Sequence, residues 1–304
     1  MNKRKMALLG ALLAVSATSM AGVIPLEQTK GETVVDGRFT DRLGRQRTEM
    51  QINKIWLGDR NRLDIEFEQN DYDGDVADTG RSTFVQFELF TQLGDSGRFE
   101  LYTDFKPYNN GGTNDTTGYL DIMPTLVVSR TENFESVLRA GLGYDQGKVE
   151  AANQGRVVAE FKNYWTVNDW LELEANAYYW NMMDTGLQKV EAEAYWYTNH
   201  NLFTADNGIT ISFLTEGGFD PYTFADRQLK TNDEFYNDDA DSNETNIDEY
   251  YFYFQPTVKV NVPLADGKYN VYFQPGYYMD WTKGTNVDND NEGMFMRAGF
   301  STKF

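Results

Sequence analysis

Between Arg62 and Glu68 the chain alternates strictly, with Leu63, Ile65 and Phe67 on one side and Arg62, Asp64, Glu66 and Glu68 on the other. A helix would scatter these residues around its circumference. A strand puts successive side chains on opposite faces, so the segment reads as a half-buried β-strand. The pattern recurs where Val85, Phe87 and Leu89 alternate with Gln86 and Glu88, and where Phe99, Leu101 and Phe105 alternate with Arg98, Glu100, Asp104 and Lys106. Arg156 to Lys162, Leu171 to Tyr179 and Val190 to Trp196 follow the same rule. The 19 Tyr and 20 Phe, beside only 7 Pro, also favour strands.

Fourteen such segments run along the chain: 33–41, 48–57, 62–69, 83–92, 98–106, 119–130, 134–144, 155–166, 170–181, 188–198, 208–217, 249–262, 268–281 and 293–304. Most are nearer the nine to eleven residues that a tilted strand needs to cross a bilayer than the five or six of an ordinary strand. Even-numbered connections are short, among them Gly58–Asn61, Gly94–Gly97, Thr131–Asn133, Val167–Asp169 and Ala265–Gly267, with Asn199–Asn207 the longest. Most odd-numbered ones are longer and polar, notably Asn70–Ser82, Pro107–Gly118, Asp145–Gln154, Gly218–Asp248 and Thr282–Glu292. An even strand count with alternating short and long links is the grammar of an outer-membrane barrel. The expected fold is all-β, a fourteen-stranded antiparallel transmembrane β-barrel with short periplasmic turns, longer extracellular loops and both termini periplasmic. A secreted sandwich or solenoid would also alternate, but it would lack the long strands and the two classes of connection. A mean hydropathy of −0.59 is no objection, because only alternate residues of such a strand face lipid.

At the N-terminus Lys3, Arg4 and Lys5 precede an apolar run from Met6 to Val15 and the small residues before Ala21. That order predicts a cleaved export signal over 1–21, too short in its apolar core to be an anchor, and a single barrel domain over 22–304. The formal net charge of −20 makes nucleic acid an improbable partner. With no cysteine, disulfides, thiol catalysis and cysteine-ligated metals are all excluded.

If the apolar face meets lipid, the other face lines a lumen. The expected pore-lining set is Arg38, Arg62, Asp64, Glu66, Glu68, Glu88, Arg98, Glu100, Asp104, Lys106, Arg156, Glu160, Lys162, Glu172, Glu174, Glu191, Glu193 and Lys259, joined by Asp36, Gln86 and Lys268. Unpaired carboxylates in a dry interior are very costly, so this wall predicts water. A turn at Val167–Asp169 would set Lys162 opposite Glu174 and Tyr164 opposite Glu172. Rings fall where girdles belong, with Phe39, Phe105, Tyr144, Tyr179 and Trp281 at the outer rim and Phe134, Trp165, Tyr269 and Phe304 at the inner. The acidic run within Gly218–Asp248 predicts a solvated flap. Asp71–Asp75 and Asp288–Gly293 both lack the glutamate that closes a calcium loop, so they read as acidic surface loops, and neither a metal nor any other cofactor is expected. The one histidine, His200, falls in an expected periplasmic turn, leaving no Ser-His-Asp arrangement at the outer rim. The chain is therefore not expected to be an enzyme.

The last strand, Met294 to Phe304, carries Met294, Met296, Ala298 and Phe300 at alternating positions before a final Phe304, and it resembles the C-terminal signature of bacterial outer-membrane barrels. That resemblance implies recognition by the barrel assembly machinery. The strand count and loop pattern, with the stretch Glu216–Tyr222, resemble the small general porins of the OmpG-like and FomA-type class. This resemblance implies an outer-membrane location among lipid and lipopolysaccharide, and passive diffusion of small hydrophilic solutes through a water-filled channel. The acid excess adds an expected weak cation preference. The alternative is a structural or adhesive barrel whose acidic loops bind a partner, with little conductance.

Overall fold

Every alternating segment is a strand in the computed structural model, which describes residues 23–42, 45–72, 81–110, 115–146, 154–184, 186, 188–226, 246–284 and 288–304. The strands are β1 (Val34–Arg42), β2 (Arg45–Trp56), β3 (Asn61–Tyr72), β4 (Arg81–Leu93), β5 (Phe99–Asn110), β6 (Asp115–Arg130) and β7 (Phe134–Gln146). They continue as β8 (Gln154–Asn168), β9 (Leu171–Met182), β10 (Gln188–Thr204), β11 (Thr210–Asp226), β12 (Asn246–Leu264), β13 (Tyr269–Gly284) and β14 (Asp288–Lys303). Each is antiparallel to its sequence neighbours, and β1 pairs with β14, so all fourteen close into one barrel. Closure leaves no sheet edge with unpaired backbone groups, which is the condition a spanning sheet must meet. At the seam Thr33 and Phe304 exchange two backbone hydrogen bonds of 3.0 and 2.9 Å, one residue beyond the pairing of Val34 with Lys303.

Period two sorts the side chains. Phe39, Phe105, Leu142, Phe273, Met294 and Phe300 point outward and remain exposed, Leu142 by 58% and Met294 by 69%. The inward face of the same strands carries Arg38, Asp104, Arg139, Arg156 and Arg297, with Phe90, Tyr102 and Met123 among them. A surface of exposed apolar side chains around an ionised interior is inverted relative to a water-soluble fold, and suits a bilayer.

The strands run further than the sequence suggested, at the expense of connections. β11 and β12 extend to Asp226 and back from Asn246, so most of the expected flap Gly218–Asp248 that is described is paired sheet, and 227–245 lies outside the described residues. Asp288–Gly293, read as a surface loop, is the start of β14, with Asp288 opposite Lys283 and Asn291 opposite Asp280. His200 is in β10 opposite Phe213, and the turn falls later, at Ala205 to Ile209. The expected export signal, 1–21, lies outside the described residues, as does the centre of the Asn70–Ser82 connection.

One expected register is corrected. Lys162 stands opposite Asn176, and Tyr164 opposite Glu174. The reversal is made by Asp169 and Trp170, with Asn168 Oδ1 accepting from the Trp170 amide at 3.0 Å, and a bulge between Thr166 and Asn168 slides the pairing again. Sequence alternation persists through such a slip, which is why it could not fix the register.

The segment before β1 is a feature that alternation could not announce. Leu26–Thr29 make one 3-10 turn, and Leu26 is 1% exposed within a cluster containing Phe90, Tyr102, Met123 and Val158, flanked by Trp56 and Trp180. The segment is therefore inside the wall at the turn end of the barrel. Several contacts tie it there: Ile24 N donates to Arg130 O at 2.8 Å, and Pro25 lies so close to Gly97 that a β-carbon there would fall 2.5 Å from Pro25 Cα. Gly97 also has φ +67°, so the contact needs glycine twice over.

Lys30 Nζ, 2.6 Å from Asp59, ties the segment to the β2–β3 turn and holds that exposed carboxyl below its usual value of 3.8. A depressed carboxyl supports its tether at all pH above the ordinary aspartate value and loses it as pH falls through the lowered one. Protease sensitivity of the segment should therefore stay flat from neutral pH down to about 4 and rise below it. Asp59→Asn should show the raised sensitivity already at neutral pH.

Candidate functional site: the barrel lumen

Groups of ion pairs line β1 to β8. Arg38 grips Glu49 through both Nε and Nη2, and Arg47 bridges Glu49 and Glu68. Arg130 reaches Glu100 at 2.5 Å and Glu135 at 2.6 Å. Arg139 holds Glu160 at 2.7 Å, with Lys162 on the other oxygen at 3.6 Å. Arg156, 1% exposed, donates to Asp121 through Nε at 3.1 Å and Nη2 at 2.7 Å, and to Asp145 through Nη1 at 3.0 Å. Aromatic faces complete several of these cations: Arg139 lies 3.9 Å from the Tyr102 ring centre, and Arg156 lies 4.7 and 4.8 Å from those of Tyr119 and Trp180.

The sequence-derived set falls on this inner face with two exceptions. Arg62, Asp64, Glu66 and Glu68 lie on β3, Glu88 on β4, Glu100, Asp104 and Lys106 on β5, and Arg156, Glu160 and Lys162 on β8. Glu172 and Glu174 lie on β9, Glu191 and Glu193 on β10, Arg38 on β1 and Lys259 on β12. Arg98 sits exposed in the turn before β5, because the bend through Gly94 and Gly97, both at positive φ, delays the strand to Phe99, and Lys268 sits exposed in the turn before β13, where Ala265, Asp266 and Gly267 are all at positive φ. Asp64 has a local task, since its Oδ1 accepts from the amide of Lys54 at 2.7 Å where β2 bulges at φ 64°.

The structure adds Arg47, Glu49, Asp121, Arg139, Glu216, Asp220 and Arg297 to the wall. Strand parity alone would have found Arg139, inward between the outward Leu138 and Ala140. It would have missed Arg130, which a bulge between Val127 and Ser129 shifts onto the inner face.

Within this wall lies a cavity of about 340 Å³, bordered by Glu88, Tyr102, Asp104, Lys106, Glu160, Lys162, Tyr178, Trp180 and Glu193. Its apolar residues Tyr102, Met123, Val158 and Trp180 also belong to, or pack against, the Leu26 cluster, so the N-terminal segment abuts the floor of the cavity. Two groups of carboxylates among the described residues bring oxygens within 4.8 Å of one another. Arg38 and Arg47 neutralise much of the first, Glu49, Glu66 and Glu68. In the second, Glu191, Glu193 and Asp220, Lys189 pairs with Glu191 at 3.1 Å. His200 is exposed and stacks on Trp170 at 4.9 Å.

No protein-family model matches the chain, and no curated protein matches it. Several solved structures are similar to it. A bacterial polysaccharide outer membrane secretin is 9% identical over 90% of this chain and 98% of its own, with TM-score 0.40. The trimer form of in-vitro folded OmpT, an outer membrane protein of Vibrio cholerae, is 11% identical over 90% and 98%, with TM-score 0.36. The NanC porin is 12% identical over 90% and 100%, with TM-score 0.33. What this chain does must follow from its own residues.

Proposed function

We propose that the protein is an outer-membrane channel of the porin type, carrying small hydrophilic solutes and ions passively through the lumen. The observation that supports this most is the sorting of side chains: exposed apolar residues outside the closed barrel, ionised residues and a cavity of about 340 Å³ inside it. Fourteen strands also lie between the eight that side chains fill and the sixteen to eighteen that leave an open channel. Cleavage of residues 1–21, insertion by the assembly machinery through β14, and contact with lipopolysaccharide at the loop end belong to the same proposal. Vesicles containing the refolded protein should swell in isotonic solutions of small sugars and resist swelling in large ones. Equal, negligible swelling in both would count against diffusion.

The lumen charges also bear on selectivity. Among the described residues of β9 to β12 the inward acids Glu172, Glu174, Glu191, Glu193, Glu216 and Asp220 outnumber the inward cations, Lys189 and Lys259, although Lys162 on β8 lies near Glu174 and Glu193, and Arg38 and Arg297 lie near Glu216. A low-dielectric wall focuses that imbalance into the water beside it. In a potassium chloride gradient the reversal potential should take the sign of a cation-preferring pore, and weaken as ionic strength rises. A potential of the opposite sign would reject this assignment.

A second reading, a structural or adhesive barrel with little conductance, is favoured by one observation: Leu26 and its segment fill part of the turn end. Removing that segment separates the two readings.

A further inference from the structure

Tyr195 on β10, Gly218 on β11 and Tyr253 on β12 stand side by side in register on the inner wall. A β-carbon at Gly218 would fall 2.3 Å from Tyr253 Cε1 and 2.7 Å from Tyr195 Cδ1 and Cε1. Both rings therefore occupy the space that a side chain would have taken, and follow the wall instead of standing across the lumen. Tyr251 and Tyr278 extend the surface, with ring centres 5.8 and 6.2 Å from that of Tyr253. Their hydroxyls meet at 2.6 Å. Tyr195, Tyr251 and Tyr253 are half-buried, so each keeps part of its surface open to lumen water. Arg42 covers Tyr278 at 3.9 Å, but among the described residues no cation lies over Tyr195, Tyr251 or Tyr253.

Carboxylates border this surface. Tyr253 Oη donates to Glu216 Oε1 at 3.2 Å, Asp220 is opposite Tyr251, and Glu193 precedes Tyr195 by one inward position. Glu193, Glu216 and Asp220 enter no ion pair among the described residues, and Asp220 Oδ1 is buried without a hydrogen-bond partner. This is unlike β1 to β8, where arginines take most of the acids and lie on several of the rings.

The geometry points to a binding site for small organic ammonium cations, of the choline or alkylamine class, on the Tyr195–Gly218–Tyr253 wall. An aromatic face attracts a cation through its quadrupole, and a methylated or alkyl ammonium brings apolar surface to the ring as well as charge to the acids. A hydrated alkali ion can use the carboxylates but not the rings. A neutral solute of the same shape can use the rings but not the carboxylates. The site rests on the reading of the lumen as open to small solutes.

Titration calorimetry on the barrel refolded in neutral detergent tests it, with choline chloride, sodium chloride and 3,3-dimethylbutan-1-ol, the uncharged isostere of choline, as probes. Choline should bind saturably and more tightly than either of the others. Tyr195→Leu with Tyr253→Leu should weaken choline about tenfold, and the near-isosteric Glu216→Gln should weaken it while sparing the isostere. Sodium or the isostere binding as tightly as choline would overturn the site, whether or not any variant folds. So would unchanged choline affinity in the folded tyrosine pair. Choline binding by a barrel that passes no current would defeat the channel reading alone, and current with no choline binding would defeat this site alone.

Discussion

Arg156→Ala is expected to lower the unfolding free energy of the refolded barrel by about 3–5 kcal/mol. The guanidinium is 1% exposed, and its removal strands the carboxylates of Asp121 and Asp145, the former itself buried. It also removes the cation lodged between Tyr119 and Trp180. The loss comes chiefly from uncompensated charge, so Arg156→Ala combined with Asp121→Asn should recover a good part of it. Arg156→Lys should fall between, because an ammonium supplies charge but cannot fork onto both oxygens of Asp121. Urea titration in lipid vesicles, followed by tryptophan fluorescence, measures all three. A loss under about 1 kcal/mol in the alanine variant, the range of an exposed pair, would mean that water reaches Arg156 freely.

Removing residues 23–31 is expected to raise single-channel conductance to a multiple of the wild-type value while leaving the barrel folded. None of the fourteen strands includes these residues, and the seam begins beyond them at Thr33. Leu26 is the anchor: Leu26→Ala should remove about 2–5 kcal/mol of docking. Leu26→Asp should undock the segment altogether, because its carboxylate would be buried among Phe90, Tyr102 and Met123. Undocking is read from protease cleavage and from current in the same preparation. Cleavage with unchanged current would show that the segment borders the lumen without restricting it. Silence before and after deletion would favour the structural reading.

Strand alternation was sufficient for the architecture. Leu63, Ile65 and Phe67 against Asp64, Glu66 and Glu68 already separate lipid from lumen, and closure follows once fourteen such segments need their edges paired. Alternation also placed most of the inner wall, since parity is conserved along an unbroken strand. It failed at local irregularities of the backbone. The bulge at Val127–Ser129 hides Arg130, the bend at Gly94–Gly97 removes Arg98, and the slip at Thr166–Asn168 moves Lys162 away from Glu174. Each is a local backbone choice that a repeating pattern does not encode. Leu26 was illegible for another reason: one leucine outside any periodic run gives no sign of the distant β4, β5 and β6 residues that bury it. Gly218 is similar, because its role depends on two tyrosines from neighbouring strands and on their register.

A channel requires the ionised interior to be a conducting path. Refolded protein added to a planar bilayer in symmetric potassium chloride should give discrete steps whose size grows with salt concentration, ohmic at low voltage, and larger after deletion of residues 23–31. Folded, inserted barrel that gives no steps, with or without that segment, would contradict it.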